Sequence, residues 1–463
     1  MAALSCKKHC RTEMTQESCK GRLFTNRELW RLMCPLVIEL LLTLLVGMID
    51  SIMVSSVGEA AVSGVSLVDT VMQLLIYLFA ALGTGGAVVA GQYLGSGNQK
   101  DACKSSEQLI GFSAVFSLAV MVVLIILKDI ILNRLFGEIT PEVRKYADTY
   151  LTITAFSIPA IAVYEAGAAT FRAMSNSKIT MWISLMMNVI NVTGNAIFIY
   201  GAGMATGGAA VSTLLSRVAA AVVVTILLFN EQQELHIRKT LKIQLDRKFI
   251  GKILYIGIPN GVENVMFQLG KILVLGLVSA FGTGAIAANA IATNLSAIQV
   301  IPGSAIALGI TTVISRCIGK GDYEQAKYYN RLLIKATYVA LLVIDLSIYF
   351  ALPLILPVYN LSQETASLTT QMLLIHTLAA VCIWPLTFDL PASMRAAGDV
   401  KFAMIVSIAS MWVFRIGAAY LLANGLRMGA VGVWAAMAVD WLFRAVVFSL
   451  RWLGGKWKLK RII

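Results

Sequence analysis

From residue 32 onward the chain is a succession of long apolar runs broken by short polar or basic segments. Twelve runs can be drawn, at about 32–54, 62–92, 108–132, 147–171, 179–200, 208–229, 250–279, 285–315, 335–358, 367–394, 402–424 and 428–450. Roughly 20 apolar residues suffice for a helix to cross a hydrocarbon core, and each run is that long. They are numbered here as spans 1 to 12. The first 31 residues are polar and basic and hold no apolar h-region, so no cleavable signal peptide is expected.

The pattern is written twice. "GEAAVSGVSLVDTVMQLLIYLFAALGTGGAVVAGQYLGSGNQKDA" from Gly58 aligns without a gap on "GTGAIAANAIATNLSAIQVIPGSAIALGITTVISRCIGKGDYEQA" from Gly282. The offset of 224 carries Gly85, Gly95 and Gly97 onto Gly309, Gly319 and Gly321, Pro35 onto Pro259, and Glu39 onto Glu263. An offset of 223 carries Arg172 and Lys178 onto Arg395 and Lys401. Each half holds six spans, an even number, so both insert with the same orientation and are related by a pseudo-twofold axis along the membrane normal. The expected fold is an all-α membrane protein with twelve transmembrane helices in two pseudo-symmetric six-helix lobes around a central cavity. The expected division is a tail at 1–31, an N-lobe at 32–229, a polar linker at 230–249, a C-lobe at 250–450 and a basic tail at 451–463.

Composition agrees: 58% of residues are hydrophobic and 14% charged, with mean hydropathy +0.77, against roughly 25% charged in soluble chains. In a soluble protein the net charge of +13 would suggest nucleic acid, but here topology accounts for it and no nucleic-acid partner is expected. With the N-terminus inside, the cytoplasmic segments hold 29 of the 38 Lys and Arg and the outer loops 5. That split places both termini in the cytoplasm. The tail "RWLGGKWKLKRII" is expected against anionic lipid. The spacing of Cys6, His9, Cys10 and Cys19 fits no standard zinc pattern, and a reduced tail is expected.

Charges inside the spans are the candidate chemistry, because each costs roughly 2.5–3.5 kcal/mol at a span centre. Asp50 in span 1 is either an interfacial residue or a titratable cation site. Glu39 lies 11 residues earlier, about 20° away in direction and about 16 Å along the axis, on one stripe of the helix. Asn191 and Asn195 are one turn apart in span 5 and offer either cation-ligating oxygens or cross-bundle hydrogen bonds. In span 7, Glu263 and Lys271 stand eight residues apart, about 80° around the helix, so they bond poorly to each other. Lys271 is either a tethered cation that substrate or H⁺ displaces, or half of a structural ion pair. Glu165 and Asp389 precede Arg172 and Arg395 by seven and six residues, an acid placed twice in nearly the same spot, and Asp389 is a candidate for C-lobe coupling or substrate binding. Arg217, Arg415, Asp440 and Arg444 are expected to pair or to snorkel, Asp69 and Asp345 have no assignment, and His376 is read as structural.

The order and duplication of "VGMIDSIMVSSVGEAAVSGVS", "AGQYLGSGNQKDA", "FRAMSNSK", "NVTGNAIFIYG", "GIPNGVENVMFQLGK" and "MRAAGDVK" resemble the multidrug and toxic compound extrusion (MATE) transporters along nearly the full chain. The resemblance implies an N-lobe coupling site at Asp50, with Asn191 and Thr213 at positions matching the family's Na⁺ site. Asn195 stands where many members carry Asp, an amide that can coordinate but not titrate. Some members carry a functional Glu in span 7, to which Glu263 is not a clean match. The implied function is a secondary-active antiporter that exports cationic amphipathic drugs or toxic metabolites in exchange for Na⁺ or H⁺, a monomer in a bacterial cell membrane. No other cofactor is expected. A lipid-linked precursor flippase of the same superfamily is the alternative. An enzyme is not expected, since no nucleophile–base pair stands out, and without a Walker A motif ATP is not the energy source.

Overall fold

The computed structural model describes residues 21–135, 139–238, 245–359, 361–460 and 462–463. Cys6, His9, Cys10 and Cys19 lie outside the described residues. Among the described residues eleven helices are long and apolar enough to cross a membrane, and a bent pair counted as one span makes twelve. No strand occurs among the described residues.

Span 1 is Asn26–Ser55. It begins in a reciprocal cap, where Glu28 N–H donates to Thr25 Oγ1 and Thr25 N–H donates to Glu28 Oε2 at 2.7 Å. Spans 2 and 3 are Glu59–Gly95 and Gln99–Ile130. Span 4 is Pro141–Ala155 plus Ile158–Ala173, bent by 50°. Span 5, Ser177–Asn195, widens into π geometry over Ala196–Gly201, and span 6 is Ala205–Leu228. The second lobe repeats the plan. Span 7 is Arg247–Ser279, and span 8 is Thr283–Gln299 followed by Ile301–Lys320. Spans 9 and 10 are Tyr323–Ile355 and Gln363–Ala397. Span 11 starts at Val400–Ser410, widens at Met411–Gly417 and again at Leu421–Gly425, and span 12 is Gly429–Leu453. Large apolar side chains such as Phe350, Leu354 and Leu450 stand exposed on the outer faces, as a hydrocarbon solvent allows.

The repeat extends to backbone detail. Gly97 and Gly321 both take positive φ, +77° and +79°, where a Cβ would be strained. Each is followed by an equivalent cap: Asn98 accepts from Asp101 N–H at 3.2 Å and Asp322 accepts from Gln325 N–H at 3.0 Å.

The lobes meet at their basic end, and the contacts are reciprocal. A Cβ on Gly95 would strike the Arg316 backbone, and one on Gly319 would strike the backbone of Gln92, whose counterpart at an offset of 224 is Arg316. Gly85 packs against Gly257, and their counterparts Gly309 and Met33 also pack together. Gly91 lies against its own counterpart, Ser315. Gln92 donates to Ala396 O at 2.8 Å and Arg316 to Ala173 O at 3.1 Å, again one contact drawn twice. Such reciprocity is the signature of a twofold axis, here passing beside Gly91 and Ser315. The linker is tied to the same end by Arg316–Glu234 at 2.6 Å, Arg238–Glu107 at 2.9 Å and Lys104–Asp246 at 2.6 Å. The Lys104 ammonium, helped by the Lys248 amide, holds the half-buried Asp246 carboxyl below the usual carboxylate range. The close approaches between the lobes extend from Gly95 and Gly319 as far as Gly261, which lies beside Leu78 and Ala81.

Candidate functional site

Two polar regions face the interior, one in each lobe. In the N-lobe, Asn188, Asn191 and Asn195 share one face of span 5 and run alongside span 1. Asn188 donates to Leu42 O at 3.1 Å, and Asn195 Nδ2 donates to Asp50 Oδ1 at 2.6 Å. The hydrogen-bond pattern turns the Asn191 amide so that its nitrogen donates to Asp50 Oδ1 at 2.6 Å and its oxygen accepts from Thr213 Oγ1 at 3.3 Å. Asp50 thus receives two amide donors, while the buried Asn195 Oδ1 has no donor of its own. The four residues named from the sequence and the resemblance stand in one cluster. Its oxygens form a hard donor set of one carboxylate, two amides and one hydroxyl, suited to Na⁺, or to H⁺ on the single carboxylate. Local geometry helps to place it, because span 5 widens immediately after Asn195 and π segments often accompany such sites.

Three neighbours were not assigned to this cluster from sequence. Tyr150 donates to Asp69 Oδ1 at 3.1 Å, and Arg217 donates to Ser157 at 2.8 Å within electrostatic reach of both Asp50 and Asp69. Asp69 is exposed. Asn188 had a readable signal, since it precedes Asn191 by three residues on the same face.

Glu39 belongs to a separate cluster nearer the basic end. It meets Arg172 at 3.5 Å and accepts from Thr180 Oγ1 at 2.6 Å, and Glu165 adds a second carboxylate 3.9 Å from the same guanidinium. The structure therefore does not bring Glu39 to Asp50, although both lie on span 1. Its counterpart Glu263 meets Arg395, the counterpart of Arg172, at 3.1 Å. One ion pair appears in both lobes.

In the C-lobe that pair opens onto a cavity of about 360 Å³, lined by spans 7, 8, 10 and 12 with Tyr77 of span 2 at its lip. Lys271 and Arg444 share its wall. Arg444 is 1% exposed, bonds Asp440 Oδ2 at 3.0 Å, and lies between the rings of Phe267 and Phe388 at 4.8 and 4.9 Å. Ser410 also donates to Asp440. Lys271 is on this wall without bonding Glu263, as the helix spacing anticipated. Asp389 is not in it: fully buried, it accepts from Thr337 Oγ1 at 2.6 Å. His376 packs edge-on against Trp434 and Trp441, in a structural setting.

The MatE family model matches residues 35–197 and again 259–421, two stretches themselves 224 residues apart. The chain belongs to the MatE family. The family's members are transporters, and this chain is a multi-span membrane transporter of that kind. It is 27% identical over 448 residues to the uncharacterized transporter YisQ of Bacillus subtilis, covering 93% of this chain and 94% of that protein. It is 25% identical to the probable multidrug resistance protein NorM of Thermotoga maritima, covering 95% and 94%. A solved outward-facing multidrug resistance MATE family transporter superposes with a TM-score of 0.87 at 20% identity, covering 94% of this chain and 96% of that one. At that identity the likeness speaks for the two-lobe fold.

Proposed function

We propose that this chain is a secondary-active exporter that moves small amphipathic organic molecules out of a bacterial cell in exchange for Na⁺ or H⁺. The observation that carries the reading is the Asp50 cluster, a lone carboxylate between two amides that can each turn. With Asp50 charged and empty, both amides donate N–H to it. When a proton arrives, Asp50 O–H donates to an amide oxygen instead. When Na⁺ arrives, Asn191, Asn195 and Thr213 present oxygens beside the carboxylate. In the charged, empty state the buried Asn195 Oδ1 has no donor, and a proton on Asp50 or a bound Na⁺ would give it a partner, so cation entry removes a penalty for an unpaired group.

The positive-inside bias supports placing the basic end and both termini in the cytoplasm. In this reading the lobes are closed toward the cytoplasm and a cleft between them opens outward. Cation entry at Asp50 favours the inward return, and each charge crossing 100 mV contributes about 2.3 kcal/mol. On the N-lobe wall of the cleft, Asp69 offers a carboxylate to the cationic group of a substrate. The protein works as a monomer, with Lys456, Lys458 and Lys460 resting on anionic headgroups. Dye efflux from proteoliposomes under separately imposed Na⁺ and pH gradients tests the reading. At least one gradient should drive wild-type efflux, and neither should drive it in Asp50→Asn. Wild-type rates in that variant under both gradients would remove Asp50 from coupling. An Arg238→Cys protein should resist an impermeant thiol reagent in intact cells, and labelling from outside would reverse the orientation.

A further inference from the structure

The C-lobe cavity has the opposite polarity to the Asp50 side of the cleft. Four bases stand in or behind its wall, Lys271, Arg395, Arg415 and Arg444, and two acids, Glu263 and Asp440. Both acids are engaged: Glu263 meets Arg395 at 3.1 Å, and Asp440 meets Arg444 at 3.0 Å. Among the described residues no carboxylate lies within ion-pair distance of Lys271 or Arg415; the two like charges lie within electrostatic reach of each other, and only Arg415 has an acid, Asp440, in reach as well. Arg444 Nε is buried without an acceptor. Lys271, a cation at membrane depth with no acid within reach among the described residues, is costly, and a bound anion relieves that cost. Of the uncharged lining, Phe267, Phe388 and Tyr77 are aromatic, with Phe267 and Phe388 against the Arg444 guanidinium, and Asn260, Asn264, Gln268, Ser304 and Thr387 add polar groups that can bond an anion's oxygens. A volume of about 360 Å³ suits a small organic molecule.

We propose that this cavity binds aromatic substrates through an anionic group, a carboxylate above all, with Lys271 as its principal partner. The inference rests on the exporter reading and adds a substrate class that the family likeness does not carry. Molecules bearing both a carboxylate and an amine would then engage both lobes.

Equilibrium binding of 1-naphthoate, 1-naphthamide and 1-naphthylmethylammonium to the full chain in phosphatidylcholine nanodiscs tests it. No gradient is applied, so the result reads separately from coupling and from transport. Naphthoate should bind about tenfold more tightly than naphthamide. Lys271→Gln should erase that difference and Lys271→Arg should keep it. Equal affinity of naphthoate and naphthamide for the wild type overturns the proposal. So does naphthylmethylammonium binding that Glu263→Gln abolishes, which would make the cavity a cation site. A second arm replaces part of the lipid with phosphatidylglycerol. Unchanged naphthoate binding supports a dissolved anion as occupant, whereas displacement of naphthoate overturns that assignment in favour of a lipid headgroup.

Discussion

Glu39–Arg172 and Glu263–Arg395 occupy equivalent places in the two lobes, at 3.5 and 3.1 Å, and their surroundings differ. In the N-lobe the second Glu39 oxygen is bonded by Thr180, Glu165 shares the guanidinium, and the cluster lies apart from Asp50. In the C-lobe the pair lines a cavity beside Lys271 and Arg444. Duplication supplied the same pair twice; what differs is whether neighbouring side chains close it in or leave space beside it. The N-lobe concentrates its titratable chemistry on one carboxylate further along span 1, while the C-lobe keeps unanswered positive charge around a space.

The largest effect expected from breaking this asymmetry is at Asp50. Asp50→Asn removes the one carboxylate of its cluster at nearly constant volume and should reduce gradient-driven efflux to background, with monodisperse protein on size exclusion. Next come the paired arginines. Arg172→Gln leaves two carboxylates uncompensated among packed helices and should destabilise by about 3–5 kcal/mol. Arg395→Gln leaves one, beside a cavity that water can enter, and should cost about 1–3 kcal/mol. Thermal unfolding in one detergent compares them, and equal losses would mean that the cavity does nothing to hydrate Glu263. Thr180→Val deletes a single hydrogen bond to Glu39 and should cost about 1–3 kcal/mol, near the lower end because Arg172 stays. The finest test is Asn195→Asp, which should leave stability almost unchanged and increase the Na⁺ dependence of efflux. An unaltered response to Na⁺ would place Asn195 outside the ion's coordination.

The fold was legible because span length and the repeat are properties of the chain itself. The repeated Glu39/Glu263 and Arg172/Arg395 positions were also legible, but not that each Glu meets its Arg. That meeting depends on how spans 1 and 4, or 7 and 10, are rotated against each other, and no single-helix periodicity reports it. The same limit explains the stripe joining Glu39 to Asp50: one helix face is long enough to serve two clusters. Asp389 drew notice as a repeated acid, yet packing against span 9 buries it away from the cavity. Asp69 stayed unassigned because its partner Tyr150 comes from the first half of a span whose bend is not written as a motif.

The reciprocal glycine contacts have a mechanical consequence. Gly91 and Ser315 meet beside the axis near one end of the molecule, with little side-chain bulk between the crossing helices. In the proposed exchange they would serve as a fulcrum, with each lobe a lever arm. From Gly91 back to Glu59 is about 48 Å of helix, so a tilt of about 10° at the crossing moves the far tip by about 8 Å. A displacement of that size passes or blocks a small organic molecule, while the backbones at the fulcrum shift by only a fraction of it. Bulk introduced at Gly91 therefore acts with the full mechanical advantage of the molecule, far from any residue that binds an ion or a substrate.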